Sequence, residues 1–377
     1  MKKIGILTIV LSVMISPLML YSDGKGYGWP IYRGDQMLSG VARGSLPDRM
    51  KLLWSFETKD EIRSSAVIGN RMVFIGSYDG RVYALDLING KKIWTFDTEN
   101  AVEAPPLLVK DTLFVGSLSG VLYALNAKNG KLRWKYETGN RIMGSANWVH
   151  MKKRYRILVG SYDNRMHCVD SKTGKAIWTF ETEHFINGSP ALYRSATDMV
   201  VFGGCDMQIH LVSAENGSKI ADVDTGSYVA ASVAVSGNQA FLGNYAGMLI
   251  CIDLTQRKIV WEYSNEEDGA PFFSSPAVNE QRVVIGSRGG GLHCVDRNSG
   301  RKIWSFNAGG DIDSSPVICG DKVVFGCTDG RIYMVRLSDG DEVWSYEIGA
   351  GITSSPAVAG GRVIIGADDG RVYTFGD

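Results

Sequence analysis

The chain has 377 residues, with 40 basic and 40 acidic side chains and 45 glycines. That balance excludes a strong overall attraction to nucleic acid or to an anionic membrane surface. Six cysteines, none in a C-x-x-C pair, give no short metal or redox motif.

Lys2 and Lys3 open the chain, an uncharged run fills 4–21, and Asp23 ends it. The pattern is that of a secretory signal, so residues 1–22 are expected to be a signal peptide or an uncleaved anchor. Leu20 stands where the cleavage site usually has a small residue, which keeps both readings open. No Cys follows the run, so a lipid-modified N-terminus is not expected. Residues 23–49 then form an arm, and 50–377 form the body of the protein.

The body says nearly the same thing eight times. Related segments begin at residues 75, 115, 159, 202, 242, 285, 325 and 365, so successive copies lie 40 to 44 residues apart. A period near forty signals a propeller or a similar repeat architecture. Within 61–98, the run 64–68 begins with small residues and 71–77 is β-branched and aromatic. Asp79-Gly80 and Asn89-Gly90 mark turns, and 81–86 and 91–96 alternate polar with apolar. This spells a four-stranded antiparallel meander.

Each fourth strand carries a tryptophan: Trp54, Trp94, Trp134, Trp178, Trp261, Trp304 and Trp344, with Ala221 in the remaining copy. Such a ring can lie across the gap to the next sheet and is expected to be structural. Cys168, Cys251 and Cys294 share a strand position with Ala84 and Ala124, and read as small buried residues. The last copy stops after its third strand, while 51–58 is a fourth strand with no copy before it. The expected fold is therefore an all-β, eight-bladed propeller of four-stranded antiparallel blades, closed by the N-terminal strand completing the last blade.

Catalytic signals are sparse. Of the five histidines (His150, His167, His184, His210, His293), three occupy the place held by Tyr83, Tyr123, Tyr333 and Tyr373 in other copies, and so are spread around the ring. No G-x-S-x-G, Walker loop or H-E-x-x-H occurs. Selectivity is expected at the central axis, where the innermost strands carry small motifs such as Ser274-Ser275-Pro276. Pro is tolerated there if the inner edge is free. The residues just before this motif are Arg63, Glu103, Met143, Asn187, Ala230, Phe273, Asp313 and Thr353. Two earlier stand Glu61, Ala101, Arg141, Phe185, Tyr228, Pro271, Asp311 and Gly351. These two rings do not repeat, and are read as a tunnel mouth that binds a partner or ligand. Two charged loops are further candidate contacts: Lys152, Lys153, Arg154 and Arg156, and the acidic Glu266, Glu267 and Asp268.

The segment Tyr83-Ala84-Leu85-Asp86, Gly90-Lys91 and Trp94, repeated at Tyr123 to Trp134, resembles the pyrroloquinoline-quinone-type propeller repeat. Trp29-Pro30-Ile31-Tyr32-Arg33-Gly34-Asp35 resembles the leader of such propellers, and makes the adhesion-like tripeptide at 33–35 a coincidence. The resemblance covers 29–377 and implies one of two things. One is a non-catalytic envelope scaffold of the outer-membrane barrel-assembly type, without cofactor. The other is a small quinone-dependent oxidoreductase, or a degenerate relative, with pyrroloquinoline quinone and calcium over the axis. For the latter, Glu103, Asn187, Asp311 and Asp313 supply oxygen donors. A peptide or glycan binder at the axis is a third reading. The expectation is an exported protein of the periplasm or cell envelope, monomeric, with envelope proteins as partners. Neither nucleic acid nor a membrane domain beyond an N-terminal anchor is expected.

Overall fold

The computed structural model describes residues 28–265 and 269–377. The signal segment, the first residues of the arm, and Glu266, Glu267 and Asp268 lie outside them. Every regular element described is a strand, and among the described residues no helix is long and apolar enough to cross a membrane.

Eight sheets surround one axis among the described residues. The first blade shows the common plan: Val67–Gly69 innermost, then Met72–Ser77, Arg81–Asp86 and Lys92–Asp97 outermost. The following blades span 107–137, 147–181, 191–224, 234–264, 277–307 and 317–347. The eighth joins the two ends of the body. Lys51–Glu57 pairs antiparallel with Arg371–Gly376, Lys51 opposite Gly376 and Glu57 opposite Arg371. The Arg371 guanidinium meets Glu57 at 2.5 Å on that seam. Closure by the N-terminal strand is therefore as the sequence predicts.

A belt of hydroxyls binds the inner strands. The Ser145 N–H donates to Ser189 Oγ at 2.8 Å, and Ser189 to Ser232, also at 2.8 Å. The chain continues through Ser275, Ser315 and Ser355, and Ser355 N–H reaches Ser65 Oγ at 2.9 Å. Pro105 holds this place in the second blade and offers no hydroxyl, so the belt is open there. The recurrent serines are thus more than small fillers.

The arm departs from expectation. The inner edges are not free: the arm runs along them inside the tunnel. Its carbonyls accept N–H bonds in succession. Trp29 accepts from Ile68, Pro30 from Leu108, Gln36 from Leu192 and Met37 from Val235. Ser39 then accepts from Val278 and Gly40 from Ile318. The Asn147 side chain also donates to the Gln36 carbonyl. Val41–Ala42 ends the course as a fifth, parallel strand on Val317–Cys319. Arg33, 1% exposed, donates to the carbonyls of Ser315, Pro276 and Pro316 at 3.0, 3.2 and 2.6 Å. Burial lowers its pKa to about 10. Trp29, Ile31, Leu38 and Leu46 are buried with it. One end of the tunnel is stoppered.

The tryptophans bridge blades as expected, with an acceptor the sequence did not reveal. Trp94 Nε1 donates to the Ala127 carbonyl of the next blade at 2.9 Å, and Trp304 to Leu337 at 2.9 Å. The indole covers a turn glycine in the left-handed region. At Gly130, with φ 71°, an added Cβ would sit 2.7 Å from Trp94. Where Ala221 replaces the tryptophan, the facing turn residue is Arg257 with φ 59°. Trp344 faces the eighth blade, whose last two strands meet at the chain ends rather than in a turn, and it is only half-buried.

All six cysteines are free. Burial pushes the thiols of Cys168, Cys251 and Cys294 up to about 12, which leaves them protonated and inert. The three ring histidines are structural. His167 Nε2 lies 3.0 Å from Asp163 and Nδ1 3.0 Å from the Tyr136 hydroxyl. Tyr83, at the same place, donates to Asp79 at 2.6 Å. His293 Nδ1 lies 3.0 Å from the Tyr263 hydroxyl.

Candidate functional site

The end of the tunnel opposite the stopper is open. Its wall begins where each outermost strand hands over to the next innermost one. The eight residues preceding the small inner motif, from Arg63 round to Thr353, all line one cavity of about 150 Å³. Tyr32 of the arm forms its floor, with its hydroxyl 2.9 Å from Ser315 Oγ. The second ring lies farther out, on the rim.

A third ring escaped the sequence reading, because its members sit in turns between second and third strands that look generic. It contributes Tyr78, Tyr162, Cys205, Tyr245, Arg288 and Asp368, and these side chains hold the first two rings in place. Tyr78 donates to Glu103 at 2.5 Å, and Arg288 grips Asp313 with two bonds of 2.8 Å. Thr353 meets Asp368 at 3.3 Å, and Asn187 reaches Cys205 Sγ at 3.5 Å. Arg63 pairs with Glu61 at 2.8 Å while lying 5.0 Å over Tyr78.

The rim divides by chemistry. From the third to the sixth blade it is aromatic. Tyr162 and Phe185 stack at 4.4 Å, with Arg141 4.8 Å over Tyr162. Tyr228 meets Tyr245 edge-on at 6.2 Å, Tyr245 meets Phe273 at 4.6 Å, and Arg288 lies 3.4 Å over Phe273. The remaining arc is acidic, with Asp311, Asp313, Asp368, Glu61 and Glu103 against Arg63 and Arg288. Burial, and then the nearby Glu61 carboxylate, raise the Asp368 pKa.

The basic loop lies at the other end, in the turn between the first two strands of the third blade. Lys152 pairs with Glu215 at 2.5 Å, Arg156 donates to the Glu215 carbonyl at 2.6 Å, and Arg154 meets Asp170 at 3.4 Å. Three of its four charges thus tie the molecule to itself, and Lys153 is left to solvent. The acidic partner loop, Glu266 to Asp268, falls outside the described residues.

A family model described as the beta-propeller of beta-alanine-activating enzyme matches residues 102–319, more than half of the chain. The chain belongs to this β-propeller family. A model of outer membrane protein assembly factor BamB also matches residues 47–153, so the blades of this propeller carry repeats of the pyrroloquinoline-quinone type. No curated protein sequence matches the chain. Among solved structures, BamB from Moraxella catarrhalis is 18% identical, covering 87% of this chain and 98% of its own, with a TM-score of 0.71. Quinohemoprotein alcohol dehydrogenase from Comamonas testosteroni is 15% identical, covering 93% and 80%, with a TM-score of 0.76. A europium-containing methanol dehydrogenase is 14% identical, covering 93% and 98%, with a TM-score of 0.75. At these identities the likeness is one of fold.

The propeller's mouth does not suit a quinone with calcium. Calcium needs six to eight oxygens converging on one point. Glu103 accepts from Tyr78 and Asp313 from Arg288, and Asp311 does not line the cavity. Asn187 donates its amide N–H to Cys205, with its Oδ1 buried and unpartnered among the described residues. Among the described residues no group of three or more His, Cys, Asp or Glu is placed to hold a metal. The cavity of about 150 Å³ is also small beside the roughly 300–1,000 Å³ of organic-cofactor pockets.

Proposed function

We propose that this propeller is an exported, non-catalytic scaffold that mediates protein–protein contact in the cell envelope, as the BamB likeness suggests. The supporting observation is the contrast between a repeating framework and a non-repeating mouth. Blade after blade keeps the same tryptophan, turn and serine, while the three rings at the open end differ at nearly every position. A repeat scaffold records its specificity where its repeats diverge. Both rim guanidiniums of the acidic arc are paired, Arg63 with Glu61 and Arg288 with Asp313, and the remaining carboxylates are left as surplus negative charge, an arrangement that suits recognition more than proton transfer. The signal-like segment 1–22 supports export, and the envelope proteins it would meet there are the expected partners. The chain acts as a monomer in this reading.

The test is direct. Purified protein is incubated with pyrroloquinoline quinone and calcium while absorbance and melting temperature are followed, and the same chain is crosslinked in intact envelopes. The scaffold reading expects no stoichiometric change in either signal, and recovery of specific envelope proteins. A one-to-one quinone signal with a raised melting temperature would replace it with the oxidoreductase.

A further inference from the structure

The geometry points to the open rim as a docking site for an extended, basic segment of the partner, one that carries apolar or prolyl side chains between its cations. This rests on the scaffold reading above and gives it a surface and a chemistry. Three observations carry it. First, Tyr228 and Tyr245 are 46% and 43% exposed. Their hydroxyls, and that of Tyr162, have no hydrogen-bond partner among the described residues. Exposed ring faces beside unused O–H donors are what a backbone without internal hydrogen bonds requires. Second, the rings of this rim already attract guanidiniums from within the chain at three places, 3.4, 4.8 and 5.0 Å from their centroids. A ligand cation over Tyr228 or Tyr245 would repeat that contact. Third, the opposite arc sets five carboxylates against two guanidiniums, so a chain crossing from one arc to the other finds negative charge for its lysines or arginines. The shallow mouth admits single side chains, and a helix of about 10–12 Å diameter would rest on the rim without filling it.

The probe is a fluorescein-labelled lysine–proline repeat peptide, with a glutamate–proline repeat as control, titrated against the full chain by anisotropy at two salt concentrations. The lysine peptide is expected to bind saturably and more weakly at high salt, and the glutamate peptide not to bind. Tyr245→Ala should weaken binding about tenfold. The pair Glu61→Gln and Asp311→Asn should weaken it and flatten its salt dependence. Melting curves of both variants confirm that they fold. Equal binding of the two peptides, no binding of either, or variants that bind like the parent overturns the inference. Envelope crosslinking of the same variants separates the two readings. A partner retained by both overturns the rim and leaves the scaffold. Peptide binding with no envelope partner removes the scaffold and leaves the rim.

Discussion

At the scale of single residues, the most informative pair is a tryptophan and the glycine it covers. The indole packs over the next blade's turn, and a left-handed glycine leaves it room. Trp94→Ala should therefore cost on the order of 3–5 kcal/mol in chemical denaturation, and the half-exposed Trp344→Ala clearly less. Ala221 and Arg257 are the exception that shows the coupling: without the indole, the turn no longer needs glycine. Ala221→Trp alone should clash with Arg257, whereas Ala221→Trp with Arg257→Gly should add about 1–3 kcal/mol. The tryptophan series is plain in the sequence, but its link to a glycine some 36 residues on is not, because only blade packing brings them together. His210 adds a pH test. Burial disfavours its charge, yet Asp206 and Asp222, each 2.9 Å away, outweigh that and raise its pKa. Its stabilising contribution is complete below the unfolded value of about 6.5 and is lost as pH rises through the raised folded one. Relative to His210→Tyr, which restores the commoner residue, the parent should be more stable at about pH 6 than at about pH 8. A melting-temperature difference that ignores pH would refute this.

At the scale of elements, the same irregularity recurs between the third and fourth strands of every blade. Register slips between Ala84 and Leu85 in the first, and between Met334 and Val335 in the seventh. The eighth repeats it between Leu52 and Trp54, although its strands come from opposite ends of the body. A bulge bends the outer strand and re-aims the adjacent tryptophan across the gap. Alternation along each strand made the meander legible, but one extra residue per strand is invisible to it. The arm was harder still. Its bonds to the blades use mainly backbone carbonyls, which leave no mark on side-chain pattern, and at Arg33 the sequence offered only the likeness of 29–35 to a propeller leader. Arg33→Ala should destabilise by roughly 2–5 kcal/mol, since three buried carbonyls lose a charged donor. Arg33→Lys should recover only part of this, because a point charge cannot fan out to three acceptors.

At the scale of the whole molecule, a hydrogen-bonded seam, a serine belt and an internal arm hold the ring. The belt is open at Pro105, and native-state hydrogen exchange should find the inner strand Leu107–Val109 among the least protected of its kind. Pro105→Ser should raise that protection. The architecture was legible because each copy restates it. The mouth was legible in part: the first ring follows from counting back from the serine motif, and its members do line one cavity. The division into aromatic and acidic arcs was not, since it depends on turn residues from one blade reaching those of the next.

The course of residues 29–57 has a consequence for biogenesis. This stretch touches each blade in turn, and finally zips to Arg371–Gly376. Its final segment, 51–57, precedes every blade in the chain yet finds its partner strand last, so a nascent chain leaving the ribosome holds this seam open until nearly every other residue has emerged. Such long-range contacts form slowly. The ring can therefore lock only once, at the end, and no subset of blades can seal it early.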